Sequence, residues 1–303
     1  MDVGQPTLDQ LRIFLAVADE GSFNRAARKL SRALSVVSYG ISALEGQLGV
    51  VLFRREGSRK PELTDAGRAL LADARAVSDE ADGLVARARG IRQGLETEVA
   101  LAVDVMVPSS TVAGVLRNFQ EVFPTVNLRL HVEALGAVAA LVLDRRADLA
   151  IAGPDIIDLP GLQRREVGSV ELVPVAAPGH PLTQLSDIPP GETSKHLQLV
   201  LTDRSPLTEG REFSVLSPRT WRLADLGAKH ALLLEGIGWG NMPRHAVKED
   251  LAAGRLVALC LPEAAQIQYL LHALWRSDSR PGPATTWMLE ALMERCAAAQ
   301  TES

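Results

Sequence analysis

From Leu70 to Leu95 an apolar residue returns at alternating steps of four and three: Leu70, Ala74, Val77, Ala81, Leu84, Ala88, Ile91 and Leu95. That rhythm is the a/d seam of a heptad held through more than three repeats, and it requires one continuous helix with a narrow apolar stripe. Thr64 and Asp65 suit its start, the hydroxyl for a free amide and the carboxylate for the positive end of the dipole. From Thr64 to Leu95 the helix would run about 48 Å, at about 1.5 Å per residue. That is too long to bury the stripe on one small domain, so the seam through Leu70, Val77, Leu84 and Ile91 is expected to pair with a second copy. A helix packed across the rest of the chain would carry the same stripe, and Gly83, Gly90 and Gly94 weaken it as a helix.

The segment before this helix reads as three short helices and a wing. Leu8, Leu11, Leu15 and Ala18, widened by Ile13, Phe14 and Val17, form one stripe with Thr7 as its cap and Glu20-Gly21 as its end. Ser22 can cap a second helix, Phe23 to Leu30, whose Phe23, Ala26, Ala27 and Leu30 face inward while Asn24, Arg25 and Arg28 face outward. After a break at 31–34, Ser35 is expected to cap a third helix with Val37, Ile41, Leu44 and Leu48 inside, stopped by Gly49. Three helices with a tight turn between the second and third match a helix-turn-helix. The stretch VVLFRREGSRKPELTDAG then reads as a two-stranded wing whose tip carries Arg54, Arg55, Arg59 and Lys60, cations placed to reach phosphates. A solvated loop would carry the same charges.

The net charge of -5 speaks mildly against a nucleic-acid binder until it is divided along the chain. Residues 1–60 hold nine Lys or Arg against six Asp or Glu, whereas residues 96–303 hold 18 against 25. A basic front module on an acidic body implies two different jobs. With 47% apolar and 23% charged residues, the chain is not of the disordered or collagenous kind. No run of 18 apolar residues and no basic-then-apolar start is present, so no membrane span or signal peptide is expected and the location should be cytoplasmic. Cys260 and Cys296 have no CxxC partner and read as small buried apolar groups. Six histidines without HxxxH or HExxH spacing, and the absence of GxSxG or GxxxxGK[ST], call for no metal, no cofactor and no catalytic residue.

Beyond residue 97 the apolar period shortens. Strand-like runs at 99–105, 126–132, 148–152 and 172–177 alternate with helical stretches at 111–123 and 137–146. A second set follows, with runs at 197–202, 237–240 and 256–259 around helices at 224–235 and 246–253. A last strand at 267–275 precedes the breaker Arg280-Pro-Gly-Pro283 and a closing helix. The alternation predicts a parallel sheet with helices on both faces, in two α/β lobes crossed near residue 167 and again near 267, a hinged clamshell.

At GSFNRAARKL, SVVSYGISALEGQLGVVLF and LTDAG the front of the chain resembles the LysR-type transcriptional regulators. The likeness runs on through FQEVFPTVNLRL, Asp148-Leu-Ala-Ile, the Gly179-His-Pro-Leu182 turn, Gly236-Ile-Gly238 with Pro243, and LAAGRLVAL. The resemblance implies a winged helix-turn-helix over 1–63, a linker and dimerisation helix over 64–96, and a two-lobed α/β effector domain like the periplasmic binding proteins over 97–303. Lobe 1 would take 97–166 and 268–300, and lobe 2 would take 167–267. It implies a homotetramer, a dimer of dimers, with double-stranded DNA, a small-molecule effector of unstated identity and RNA polymerase as partners, and no membrane.

Carried onto this chain, Ser35, Val36, Ser38, Tyr39 and Ser42 would face the major groove, the hydroxyls bonding base edges and Val36 meeting a thymine methyl. Leu34 stands where the family often has glutamine, and Tyr39-Gly40 where it often has a basic or amide pair, so fewer bidentate base contacts are offered. Ser22, Asn24, Arg25, Arg28 and Arg32 would join the wing cations on phosphates. In the body, Asp104, Ser109 and Ser110 after the first strand, Thr202 and Arg204 at the matching end in the second lobe, and Trp239 and Asn241 in the Gly236–Asn241 loop are expected around the effector. Ser110 or Thr111 would equally serve as a helix cap, and Trp239 as core. A second function class remains in view: a small-molecule carrier or enzyme whose front helices only oligomerise.

Overall fold

The computed structural model describes residues 5–54, 60–154, 159–202, 205–262 and 267–301. The chain divides into two compact units, 1–90 and 91–303. In the first unit, helices α1 (Leu8–Glu20), α2 (Phe23–Lys29) and α3 (Leu34–Leu48) precede strands β1 (Phe53–Arg54) and β2 (Glu62–Leu63) and the long helix α4 (Asp65–Arg92). Thr7 and Gln10 form a reciprocal capping box on α1, and Ser22 caps α2 through the Arg25 amide. The start of α3 differs from expectation. Its cap position is Ala33, with no side-chain hydrogen bond, and Ser35 lies inside the first turn.

Ile13, Phe14, Val17, Ala26, Ala27, Val37, Ile41, Leu44, Leu52 and Phe53 make one core, with Phe53 edge-on to Phe14 and to Phe23. Two glycines are there for space. A Cβ on Gly40 would lie 2.7 Å from Ile13 Cδ1, so Gly40 sets how closely α3 approaches α1. It is buried, and the departure at Gly40 therefore concerns helix packing rather than base contact. A Cβ on Gly67 would lie 2.3 Å from the Leu52 carbonyl oxygen, so α4 closes against the wing only because residue 67 lacks one. Thr64 ties the same corner: its hydroxyl donates to the Val51 carbonyl at 2.6 Å and accepts from the Gly67 amide at 3.0 Å. Glu45 on α3 accepts from the amides of Leu52 at 2.8 Å and Phe53 at 3.2 Å, fixing the wing to the recognition helix. The wing is the expected antiparallel pair, Phe53 opposite Leu63 and Arg54 opposite Glu62.

The seam along α4 splits. Leu70 and Ala74 pack into the headpiece core with Leu71 and Leu63, so Leu70 is not free to pair with a second copy as expected from the heptad. Further along, Val77, Leu84 and Ile91 are more than half exposed.

The second unit carries β3 (Glu98–Asp104), α5 (Ser109–Val122), β4 (Asn127–Glu133), α6 (Gly136–Leu143), β5 (Leu149–Ala152) and β6 (Leu162–Ala176). It continues through β7 (Gln198–Leu201), β8 (Thr220–Leu223), α7 (Leu226–Leu234), β9 (Trp239–Pro243), α8 (Arg244–Ala252), β10 (Val257–Ala258), β11 (Ile267–Arg276) and α9 (Pro283–Thr301). Strand order is β4-β3-β5-β11-β6-β9-β7-β8, with β10 on β6. Parallel β4, β3 and β5 belong to one lobe, and parallel β7 and β8 beside β9 to the other. The antiparallel strands β6 and β11 run through both: His272–Leu274 of β11 pair with β5, while Leu172–Ala176 of β6 pair with β9. Their shared ladder is interrupted between Leu271 and His272, opposite Gly168 and Glu166, so the break in register lies midway between the lobes.

Three elements differ from the sequence reading. β6 begins at Leu162, ten residues early, because its first half is a crossing strand whose outward side chains Gln163 to Glu166 hide the apolar signal. β8 was not foreseen, its four residues having two exposed positions, and β9 starts and ends later than the 237–240 run. The cysteines also divide: Cys260 is exposed, while Cys296 is buried in α9 with its thiol pushed up to about 11 by burial. Glu96 caps α9, accepting from Ala284 and Thr285 amides at 3.0 Å each. Burial pushes its carboxyl up, but those amides outweigh burial and hold it below the ordinary range.

Candidate nucleic-acid interface and effector cleft

Val37, Gly40, Ile41 and Leu44 turn the inner side of α3 to the core, which leaves Ser35, Val36, Tyr39 and Ser42 exposed and Ser38 half-buried on the opposite side. Tyr39 is 76% exposed, far more than a tyrosine with only a packing role. Leu34, also exposed, adds a second aliphatic group beside Val36; its place in the first turn was noted in the sequence but not its outward face. The outer face thus offers hydroxyls and short apolar groups, the types that meet base edges and thymine methyls.

The surrounding cations are not equivalent. Arg32 is held by Asp9 at 2.6 Å, and Arg25 donates to the Glu20 carbonyl at the end of α1. Lys29 pairs with Glu20 at 3.0 Å. Arg28 and Arg54 are exposed and make no ion pair with a described residue. Lys60 is exposed as well, and Ser22 and Asn24 lie at the start of α2, Ser22 with its hydroxyl used as the cap. Arg55 and Arg59 lie outside the described residues.

Within the body, two adjoining cavities of about 670 and 300 Å³ open between the lobes. The larger is bordered by Thr202, Arg211 and Arg222, with the Arg211 guanidinium over the Phe213 ring at 5.3 Å. The smaller joins Met106 and Leu135 of the first lobe to Leu199, Lys229 and Asn241 of the second, with Tyr269 of the crossing strand β11. Of the expected effector residues that are described, Thr202 and Asn241 border these cavities, while Asp104, Ser109, Ser110 and Trp239 do not. Asp104 is buried and already saturated, accepting from the Met106 amide at 2.8 Å, the Leu135 amide at 3.2 Å and the Tyr269 hydroxyl at 2.9 Å. Trp239 is fully buried in a separate cluster with Leu182, Ile188, Leu259 and Leu261 and is core. Ser109 and Ser110 are exposed in the first turn of α5 and border neither cavity; Arg204 lies outside the described residues.

Lys229, Phe213 and Tyr269 were missed. Lys229 and Tyr269 sit in apolar stretches that read as core and Phe213 in a polar loop, and only the fold shows which of these positions border a crevice. The Lys229 ammonium donates to the Asn241 carbonyl at 2.7 Å, and burial lowers its pKa to about 8 from the 10.5 of a free lysine. An unfolded chain therefore binds more protons than the folded one between about pH 8 and 10.5. Stability of the ligand-free body should rise across that window, by about 3 kcal/mol in all, with the full penalty present below it. Denaturation of wild type and Lys229→Met at several pH values checks this: the difference between the two should shrink as pH rises, and a constant difference excludes it.

Two family models cover the chain: "Bacterial regulatory helix-turn-helix protein, lysR family" over residues 8–68 and "LysR substrate binding domain" over 92–297. The chain belongs to the LysR family of transcriptional regulators. Among its relatives, the probable HTH-type transcriptional regulator YhaJ of Escherichia coli K12 is 31% identical over 94% of this chain and 95% of that one. The HTH-type transcriptional regulator PunR of the same organism is 29% identical over 93% and 91%. The fold matches solved structures at lower identity: Corynebacterium glutamicum OxyR, a C206 mutant, at TM-score 0.51 and 23% identity over 98% and 95% of the two chains. Full-length LysG of that organism with bound effector Arg gives 0.50 and 22% over 96% and 98%. This LysR-type regulator binds DNA through its winged helix-turn-helix and a small-molecule effector through its two-lobed domain. Among the described residues no helix is long and apolar enough to cross a membrane.

Proposed function

We propose that this regulator acts in the cytoplasm as a dimer of dimers, not as an enzyme, setting two recognition helices of each pair on the half-sites of a pseudo-palindromic promoter. The observation that carries the reading is the exposed outer side of α3, where Ser35, Val36, Ser38, Tyr39 and Ser42 stand over a fully packed core. Phosphates are held by Ser22, Asn24, Arg25, Arg28, Arg32, Arg54, Arg55, Arg59 and Lys60, with Arg28 and Arg54 giving most per residue because neither is ion-paired to a described residue. The exposed Val77, Leu84 and Ile91 join helices within a pair. The exposed Leu128, Leu130 and Val132 on edge strand β4, with Val122 on α5, join bodies between pairs. Effector in the cleft, touching Thr202 and Asn241, closes the lobes and changes the angle between pairs, and through it the contact with RNA polymerase. A coupling of about 1 to 3 kcal/mol suffices.

Footprinting on the DNA upstream of its own gene tests the reading, since a carrier or enzyme gives no protected region. In binding titrations, Arg28→Ala or Arg54→Ala should weaken all DNA alike and lower the salt slope by about one ion each, while Tyr39→Ala should alter sequence preference. Arg32→Ala should cost less than Arg28→Ala, because Asp9 already occupies Arg32. An Arg28 variant that changes sequence preference without changing the salt slope excludes the phosphate role.

A further inference from the structure

Among the described residues, the cleft buries a cation without a counter-charge. Lys229 is 3% exposed, and its one acceptor among the described residues is the Asn241 carbonyl. That carbonyl lies mid-strand on β9, past Trp239, where β9 pairs with Gln198 of β7. A neutral carbonyl alone does not offset the cost of removing an ammonium from water, and an ammonium has three donors to place. The acids nearby are engaged elsewhere: Glu212, on the cavity wall, pairs with Arg222 at 2.6 Å, and Asp104 holds its three donors. On the residue whose carbonyl holds Lys229, the Asn241 side-chain Oδ1 is buried with no partner among the described residues. Both residues border the cavity of about 300 Å³, whose remaining walls include Leu135, Leu172, Leu199, Phe213 and Ile267. A charged end and an apolar remainder describe one kind of guest.

Resting on the reading of the cleft as the effector site, we infer that the effector is a small organic anion, a carboxylate on an apolar body. Its carboxylate sits on the Lys229 ammonium, the Asn241 side-chain amide can donate a second hydrogen bond through Nδ2, and its apolar part fills the space between Leu135, Leu199 and Phe213. Binding then supplies the missing counter-charge and joins the lobes, since Leu135 belongs to one and Lys229 to the other.

The test uses the full chain with matched pairs of probes: hexanoate, phenylacetate and 3-phenylpropanoate, each against its own primary amide, at millimolar concentration. Thermal shift and calorimetry should show acids binding at least about 30-fold more tightly than amides, the scale of a desolvated charge pair. In Lys229→Met that preference should vanish, and the wild-type comparison stands even if the variant folds poorly. Amides binding as well as acids, an acid preference that survives in Lys229→Met, or no binding by any acid overturns the inference. Failure of the underlying reading is seen separately: filling the cavity with Leu199→Trp would leave the promoter response to cell extract unchanged.

Discussion

Replacing Val77 and Leu84 together by glutamate is expected to halve the assembled mass of the regulator in solution and lower its affinity for a two-half-site operator by about 100-fold to 10,000-fold. Both side chains stand on the outward side of α4, 52% and 63% exposed, seven residues apart on one seam. Four carboxylates facing one another across a helix pair repel and leave nothing apolar to bury. The headpiece core ends at Ala74, so its fold does not depend on either position. A single half-site should therefore be bound as before, because only the link between two recognition helices is lost. The change converts an effectively intramolecular second contact into an independent one, which is where the factor arises. Sedimentation and titration against whole and half operators decide the matter. Unchanged mass and operator affinity would mean that α4 packs in some other way and that the exposed stripe has no partner.

The same helix shows what was legible in the sequence and what was not. The heptad gave its approximate length and its apolar stripe, because periodicity is a local property. It could not show that Leu70 and Ala74 are spent on the wing and α1, because that depends on Gly67 letting the helix close on the Leu52 carbonyl. The outward residues of α3 were legible for the reason that the heptad was: once Val37, Ile41 and Leu44 are assigned inward, the other side of α3 is fixed. The cleft was less so. Rim positions chosen by strand ends included Thr202 and Asn241, but also Asp104 and Trp239, polar and aromatic groups that the fold turns inward. Lys229, in LGAKHALLL, sits among apolar neighbours on a helix whose inner face points at the crevice. A lone lysine on a buried stripe is the signal that was present, and it is a signal only if the stripe is known to be buried.

Asp104→Ala should destabilise the body by about 3 to 5 kcal/mol, the loss typical of removing one partner from a buried charged network. Among the described residues its two oxygens accept from donors in three parts of the chain: the Met106 amide after β3, the Leu135 amide ahead of α6, and the Tyr269 hydroxyl on the crossing strand. Leu135 has φ +51°, a conformation disfavoured for leucine, and the Asp104 carboxylate is what fixes its amide. Gly153 leaves room for the tyrosine in this arrangement, since a Cβ there would lie 1.9 Å from the Tyr269 hydroxyl. Alanine removes the acceptor for all three donors at once, whereas Asp104→Asn keeps one oxygen and should cost about 1 to 3 kcal/mol. All four tryptophans, Trp221, Trp239, Trp275 and Trp287, lie in the body, so their fluorescence follows its unfolding without a contribution from the headpiece. Because Leu135 and Tyr269 also border the smaller cavity, the loss should extend to effector affinity in the surviving folded protein, and Tyr269→Phe should be less than additive with Asp104→Asn. Stability of Asp104→Ala within about 1 kcal/mol of wild type would show that the three donors find other acceptors, and that the carboxylate does not hold the lobe against its crossing strand.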